Sequence, residues 1–136
     1  LRQTGGDVKA FSGTTLTTID KNGGTLITHS AATTITNRGG DVTVWSGAHT
    51  TIHVLEGTLR YNSTGTLTTL NVYNGGQANF DDVNQARTVT NCTIVEGATI
   101  SDLAKTVTWT NGIIMSKCGL QAVTLNLGED ITVTRT

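Results

Sequence analysis

The 136-residue chain contains no proline, one methionine and two cysteines, and only 4% of its residues are aromatic. Two cysteines cannot supply the disulfide framework that staples small secreted domains, so Cys92 and Cys118 read as small buried or half-buried hydrophobes, with a single bridge or a redox role as the alternative. Charge is scarce as well. Only 14% of residues are Asp, Glu, Lys or Arg, and 9 basic against 10 acidic side chains leave a formal net charge of −1. Binding to nucleic acid depends on clustered Lys and Arg at the phosphates, so this balance argues against a nucleic-acid partner. The longest uncharged stretches are rich in Thr and Asn, so none reads as a membrane-crossing helix, and no membrane partner is expected. No secretory signal pattern is visible. The length suggests one domain.

What the chain does have is threonine, about a fifth of its residues, together with 16 glycines. Threonine is β-branched, stiff in a helix and at home in a strand. Glycine turns the backbone at positive φ without steric cost. The composition therefore predicts short strands separated by glycine corners.

The chain is also self-similar. Glycines recur at Gly5-Gly6, Gly23-Gly24, Gly39-Gly40, Gly57, Gly75-Gly76, Gly97 and Gly119, and one phrase recurs between them. Its best ruler is a Thr-Thr-aliphatic triplet, as in Thr17-Thr18-Ile19, Thr33-Thr34-Ile35, Thr50-Thr51-Ile52 and Thr68-Thr69-Leu70, with weaker copies ending at Val89, Val107 and Val123. The aliphatic members step by 16, 17, 18, 19, 18 and 16 residues. A second apolar ladder runs through Val8, Leu26, Val42, Leu59, Ala78 and Ile100, with period-two alternation around each member.

A unit this short cannot bury an apolar face alone, so copies must stack. The expected fold is all-β: a single-domain parallel β-solenoid of about seven coils, right-handed because the coil length varies. With strands ~4.8 Å apart, seven coils make a rod on the order of 34 Å tall. Ile19, Ile35, Ile52, Leu70, Val89, Val107 and Val123 are expected to stack inside. Thr18, Thr34, Thr51, Thr69, Thr88 and Thr106 are expected to form an outward ladder. Residues 1–5 read as an N-terminal arm or cap, 6–75 as regular coils, 76–119 as longer coils with a third strand or wider loop, and 120–136 as a C-terminal cap. Open edges at both ends invite pairing with another chain, hence a homo-oligomer, with a trimer favoured.

The phrase Gly-Gly-Asp-Val-Thr-Val-Trp-Ser-Gly-Ala at residues 39–48, with its copies over residues 5–119, resembles the repeats of bacterial autotransporter adhesin passengers. It is also similar to β-helical phage virion parts, namely capsid cement (decoration) proteins and tail spikes. The resemblance implies a virion-borne or extracellular scaffold without a cofactor. Its partner would be the major capsid protein, another virion protein or a surface glycan. The leading expectation is a non-enzymatic capsid cement protein; the other is a carbohydrate- or cell-binding module.

His49 and His53 stand four apart in one strand and are expected on one side, ~13 Å apart, too far for one metal ion. Asp81, Asp82, Glu96 and Asp102 hint at a polysaccharide hydrolase, but adjacent strand residues point to opposite faces, so no catalytic residue is assigned. Ice binding would need Thr-X-Thr rows such as Thr34-Ile35-Thr36, Thr88-Val89-Thr90 and Thr106-Val107-Thr108, and Asp20, His53 and Asn71 interrupt them. Asn62-Ser63-Thr64 and Asn91-Cys92-Thr93 match the glycosylation pattern, which matters only in a eukaryotic secretory setting. Phe11, His29 and Trp45 occupy equivalent places and, with Trp109, either meet a sugar face or partner chain or plug corners of the core; contact is the expectation. Thr34, Thr51 and Thr69 complete the candidate contact face.

Overall fold

The computed structural model describes residues 1–116 and 122–136, so Cys118, Gly119 and Gln121 lie outside the described residues. Among these there are strands and no helix, and every strand pair is parallel. One row stacks β1 (Arg2–Gln3), β3 (Leu16–Lys21), β5 (Ala32–Val44), β6 (His49–Tyr61), β7 (Leu67–Val72), β9 (Arg87–Val95), β12 (Ile113–Ser116) and β14 (Val133–Arg135) in that order. A second row runs from β2 (Asp7–Ala10) through β4 (Thr25–Thr28) and the second halves of β5 and β6. It continues through β8 (Gly76–Asn79) and β10 (Thr99–Asp102) to β13 (Thr124–Leu127). One more strand, β11 (Val107–Trp109), pairs with β9 alone. The chain is a β-solenoid of about seven turns, and its late coil carries β10, β11 and β12 where early coils have two strands.

The second apolar ladder lies as the sequence predicts. Val8, Leu26, Val42, Leu59, Ala78 and Ile100 face one another in register, and Leu125 extends the column. The first ladder holds for Ile19, Ile35, Ile52 and Leu70, all wholly buried, and then departs. Leu70 faces Cys92, which faces Ile113, which faces Val133. Val89 instead belongs to a neighbouring inner column, between Leu67 and Trp109. Val107 faces Arg87, and Val123 precedes the residue that faces Thr99. The column 19, 35, 52, 70, 92, 113, 133 steps by 16, 17, 18, 22, 21 and 20 residues. A detour after β8, residues 80–86, takes up the added length before β9 begins.

Wider coils enclose more volume, and rings fill it. His49 meets Tyr61 at 6.0 Å between centroids, Tyr61 meets Phe80 at 6.0 Å, and Phe80 meets Trp109 edge-on at 5.6 Å. Ring pairs at such separations add about 0.5–1.5 kcal/mol beyond the area they bury.

Two local devices shape the coil. At each Thr-Thr pair both side chains point outward between inward neighbours, as at Thr50-Thr51 between His49 and Ile52, both buried. That corner reverses the strand's parity. At the opposite corner Gly6, Gly24, Gly40 and Gly57 form a column with φ between 70° and 78°. A Cβ on Gly40 would lie 2.2 Å from the Gly24 carbonyl oxygen, and one on Gly57 would lie 2.2 Å from that of Gly40. Only hydrogen fits there.

The early coils also carry a polar inner column of Gln3, Lys21 and Asn37, which Val54, Val72 and Ile94 continue. Gln3 donates to the Gly6 carbonyl at 2.7 Å, Lys21 to that of Gly39, and Asn37 to that of Gly40 at 3.2 Å. These side chains satisfy backbone oxygens that the glycine corners turn inward, where an unpaired carbonyl would be costly. Burial lowers the Lys21 pKa, against an opposing pull from Asp41.

Candidate functional site

The expected aromatic ladder exists on the surface. Ala10, Thr28 and Val44 are in register, so Phe11, His29 and Trp45 follow one above another at the strand ends. Phe11 is 71% exposed and Trp45 45%, and His29 is exposed between them. The His29 and Trp45 rings lie stacked at 6.5 Å with an 11° angle between planes. The next rung is Asn62, which is buried, so the strip ends there.

Trp109 does not join it. It sits 9% exposed in the core, where the widened coil needs a large ring, and this corrects its assignment to the contact face. The outward threonine ladder is corrected in the same region. Thr18, Thr34, Thr51 and Thr69 face one another, but Thr69 then faces Asn91. Thr88 faces Thr108 in another row, and Thr106 is buried. Thr34, Thr51 and Thr69 are half-buried, flanked by the more exposed Thr33, Thr50 and Thr68. Thr36 is in register with Asp20, His53 and Asn71, the interruptions the sequence anticipates.

The histidines part company. His53 faces outward against Asn71, whereas His49 is 2% exposed in the interior. The parity-reversing threonine corner between them overturns the expectation of a shared side. His49 Nδ1 accepts the Ala32 N–H at 3.2 Å, which fixes a neutral ring, and burial pushes its pKa down. The sign follows. The unfolded chain takes up a proton near pH ~6.5 that the folded ring resists, so stability is full above that pH and falls below it. Urea midpoints are expected to drop between about pH 7.5 and about pH 5, and His49→Leu to flatten that slope. An unchanged slope in the variant would refute the assignment.

The acids are occupied in structural bonds. Asp81 accepts from the Leu103 N–H at 2.6 Å and from the Ser101 hydroxyl, and Asp82 pairs with Arg60 at 3.2 Å. Asp102, 1% exposed, accepts from the Thr106 N–H at 2.9 Å, the Thr106 hydroxyl at 2.8 Å and the Val107 N–H at 3.0 Å. Arg87, 2% exposed, donates to that same hydroxyl at 2.8 Å and to the Phe80 carbonyl at 2.6 Å. No sequence pattern marks this buried chain of Arg87, Thr106 and Asp102, because its members lie 4 and 19 residues apart and only the coil joins them. Among the described residues no group of three or more His, Cys, Asp or Glu is placed to hold a metal ion. Cys92 is buried, and desolvation pushes its thiol up to about 12.

A second surface feature carries no mark in the sequence. A cavity of about 670 Å³ opens beside β11, lined by Lys105, Trp109, Glu129, Asp130 and Thr132 among others. Its origin is a shortcut. Between β10 and β12 the chain spends residues 103–112, whereas the next coil crosses from β13 to β14 in residues 128–132. The Gly128 N–H binds the Asp102 carbonyl and the Ile113 N–H binds that of Thr132, so the two coils stay joined at either end of the gap.

No family model, curated protein or solved structure matches this chain.

Proposed function

We propose that this solenoid is a non-enzymatic structural protein that docks on a protein shell, as a capsid cement protein does, and works as a homo-oligomer, a trimer being favoured. The exposed Phe11–His29–Trp45 ladder carries this reading. Aromatic rings presented on rigid strands bury large area at little entropic cost, which is the usual chemistry of an interface anchor. A narrow coil stack holds them in fixed spacing, so little is lost in ordering the surface on docking.

The experiment is sedimentation of particle fractions from the source that produces the chain. The wild type should travel with capsid-sized particles, and Phe11→Ala/Trp45→Ala should be released into the soluble fraction while keeping its melting temperature. A wild type found wholly in the soluble fraction refutes the reading. Light scattering on the purified chain reads the oligomeric state, and a monomer on and off the particle would remove the trimer.

The near-parallel His29 and Trp45 rings favour one second reading, a carbohydrate-binding module, because stacked planes can hold the apolar face of a sugar. Glycan-array binding lost on Trp45→Ala would support it; a blank array would end it.

A further inference from the structure

From the uncovered edge of β11 we infer that the slot beside it receives an extended peptide strand of a partner protein, one carrying a basic side chain toward Glu129 and Asp130.

Each earlier strand of the first row between β1 and β12 has a partner on both sides, whereas β11 has β9 on one side and, among the described residues, none on the other. The Thr106 carbonyl accepts the Arg87 N–H, and the Thr110 N–H binds the Val89 carbonyl. Backbone groups of a parallel strand alternate sides, so the Val107 C=O and Trp109 N–H point the other way, toward the gap left by the shortcut. Asp102 already accepts the Val107 N–H and the Trp109 carbonyl accepts the Gly112 N–H. The remaining acceptor and donor, Val107 C=O and Trp109 N–H, are spaced as one rung of a ladder. That is the footprint of strand addition, in which main-chain bonds supply affinity and flanking side chains supply specificity.

The dimensions agree. A cavity of about 670 Å³ falls within the ~300–1,000 Å³ of ordinary binding sites, and the stretch it follows, 105–112, is as long as a short strand with its flanks. Charge selects the occupant. The wall formed by the last coil bears the exposed carboxylates of Glu129 and Asp130, against one ammonium, Lys105, on the other side. An incoming strand with Lys or Arg at that wall gains attraction, and one with Glu meets repulsion.

The test uses the whole chain in a Trp45→Phe background, so that fluorescence reports on Trp109 alone. The probes are short capped Thr/Val peptides in which one Lys is moved through every position. At least one should give a saturable signal and slow the exchange of the Trp109 amide. Replacing its Lys by Glu, or introducing Glu129→Gln/Asp130→Asn, should weaken binding about tenfold. N-methylation of its alternate amides should abolish binding. If every peptide fails to saturate, or if the N-methylated form binds equally well, the inference is overturned. Saturation of the same signal by an oligosaccharide such as cellohexaose, with no peptide effect, would assign the slot to sugar instead. Neither result depends on whether the aromatic ladder docks on a shell.

Discussion

Asp102→Ala is expected to cost about 3–5 kcal/mol, the loss that follows when one partner of a buried charged network is removed. Asp102 gathers the Thr106 N–H, the Thr106 hydroxyl and the Val107 N–H, and through that hydroxyl it faces Arg87. Without it, the Arg87 guanidinium is left in the interior with carbonyls and a hydroxyl for company, and two backbone N–H groups lose their acceptor. Burial already lowers the Arg87 pKa, with Asp102 the first of the charges that oppose the fall. Arg87→Met in the same chain should recover much of the loss, because the uncompensated charge is then gone. Urea denaturation of the single and double variants checks this. A single-variant cost under about 1 kcal/mol would mean that water reaches the network, and would refute it.

Gly40→Ala should be strongly destabilising, as should the same change at Gly24 and Gly57 in the same column. At Gly40 the positive φ alone costs an alanine about 1–2 kcal/mol. The new methyl would also overlap the Gly24 carbonyl oxygen, a backbone atom that can retreat only if two coils separate. Together these should exceed about 3 kcal/mol and lower Tm by roughly 10 °C or more. Two controls divide the effect. Gly13→Ala carries positive φ in open space, so only the conformational part should appear. Gly5→Ala has neither handicap and should leave Tm within about 2 °C. If Gly40→Ala melts with Gly13→Ala, the tight stacking of the glycine corners is refuted.

The coil itself was legible because stacking forces equivalent residues into columns, and columns leave a period in the sequence. Val8 through Ile100 could be written down in full for that reason. The other column slipped at Val89, and the cause is physical: a coil has several inner positions, and all of them accept an aliphatic. Arg87-Thr88-Val89 satisfies the triplet pattern while sitting on the column of Leu67, three residues before the true successor, Cys92. The exposed ring ladder was readable because its members hold a fixed offset from the glycine corner. The β11 slot was not, since it is made by five residues crossing where ten had gone before, and no residue type marks a place where a strand is missing.

The coil register also sets how the molecule bears load. Ladder hydrogen bonds in a solenoid lie along the rod, so tension on its two ends meets them one rung at a time and peels the outermost turn first. Each turn of 16 to 22 residues then pays out roughly 55–75 Å of chain at ~3.4 Å per residue. Force applied across the rod meets covalent backbone in every turn at once. Such a body tolerates being pushed sideways and unravels when drawn out by its ends, which suits a peg set into a surface better than a tether stretched between two.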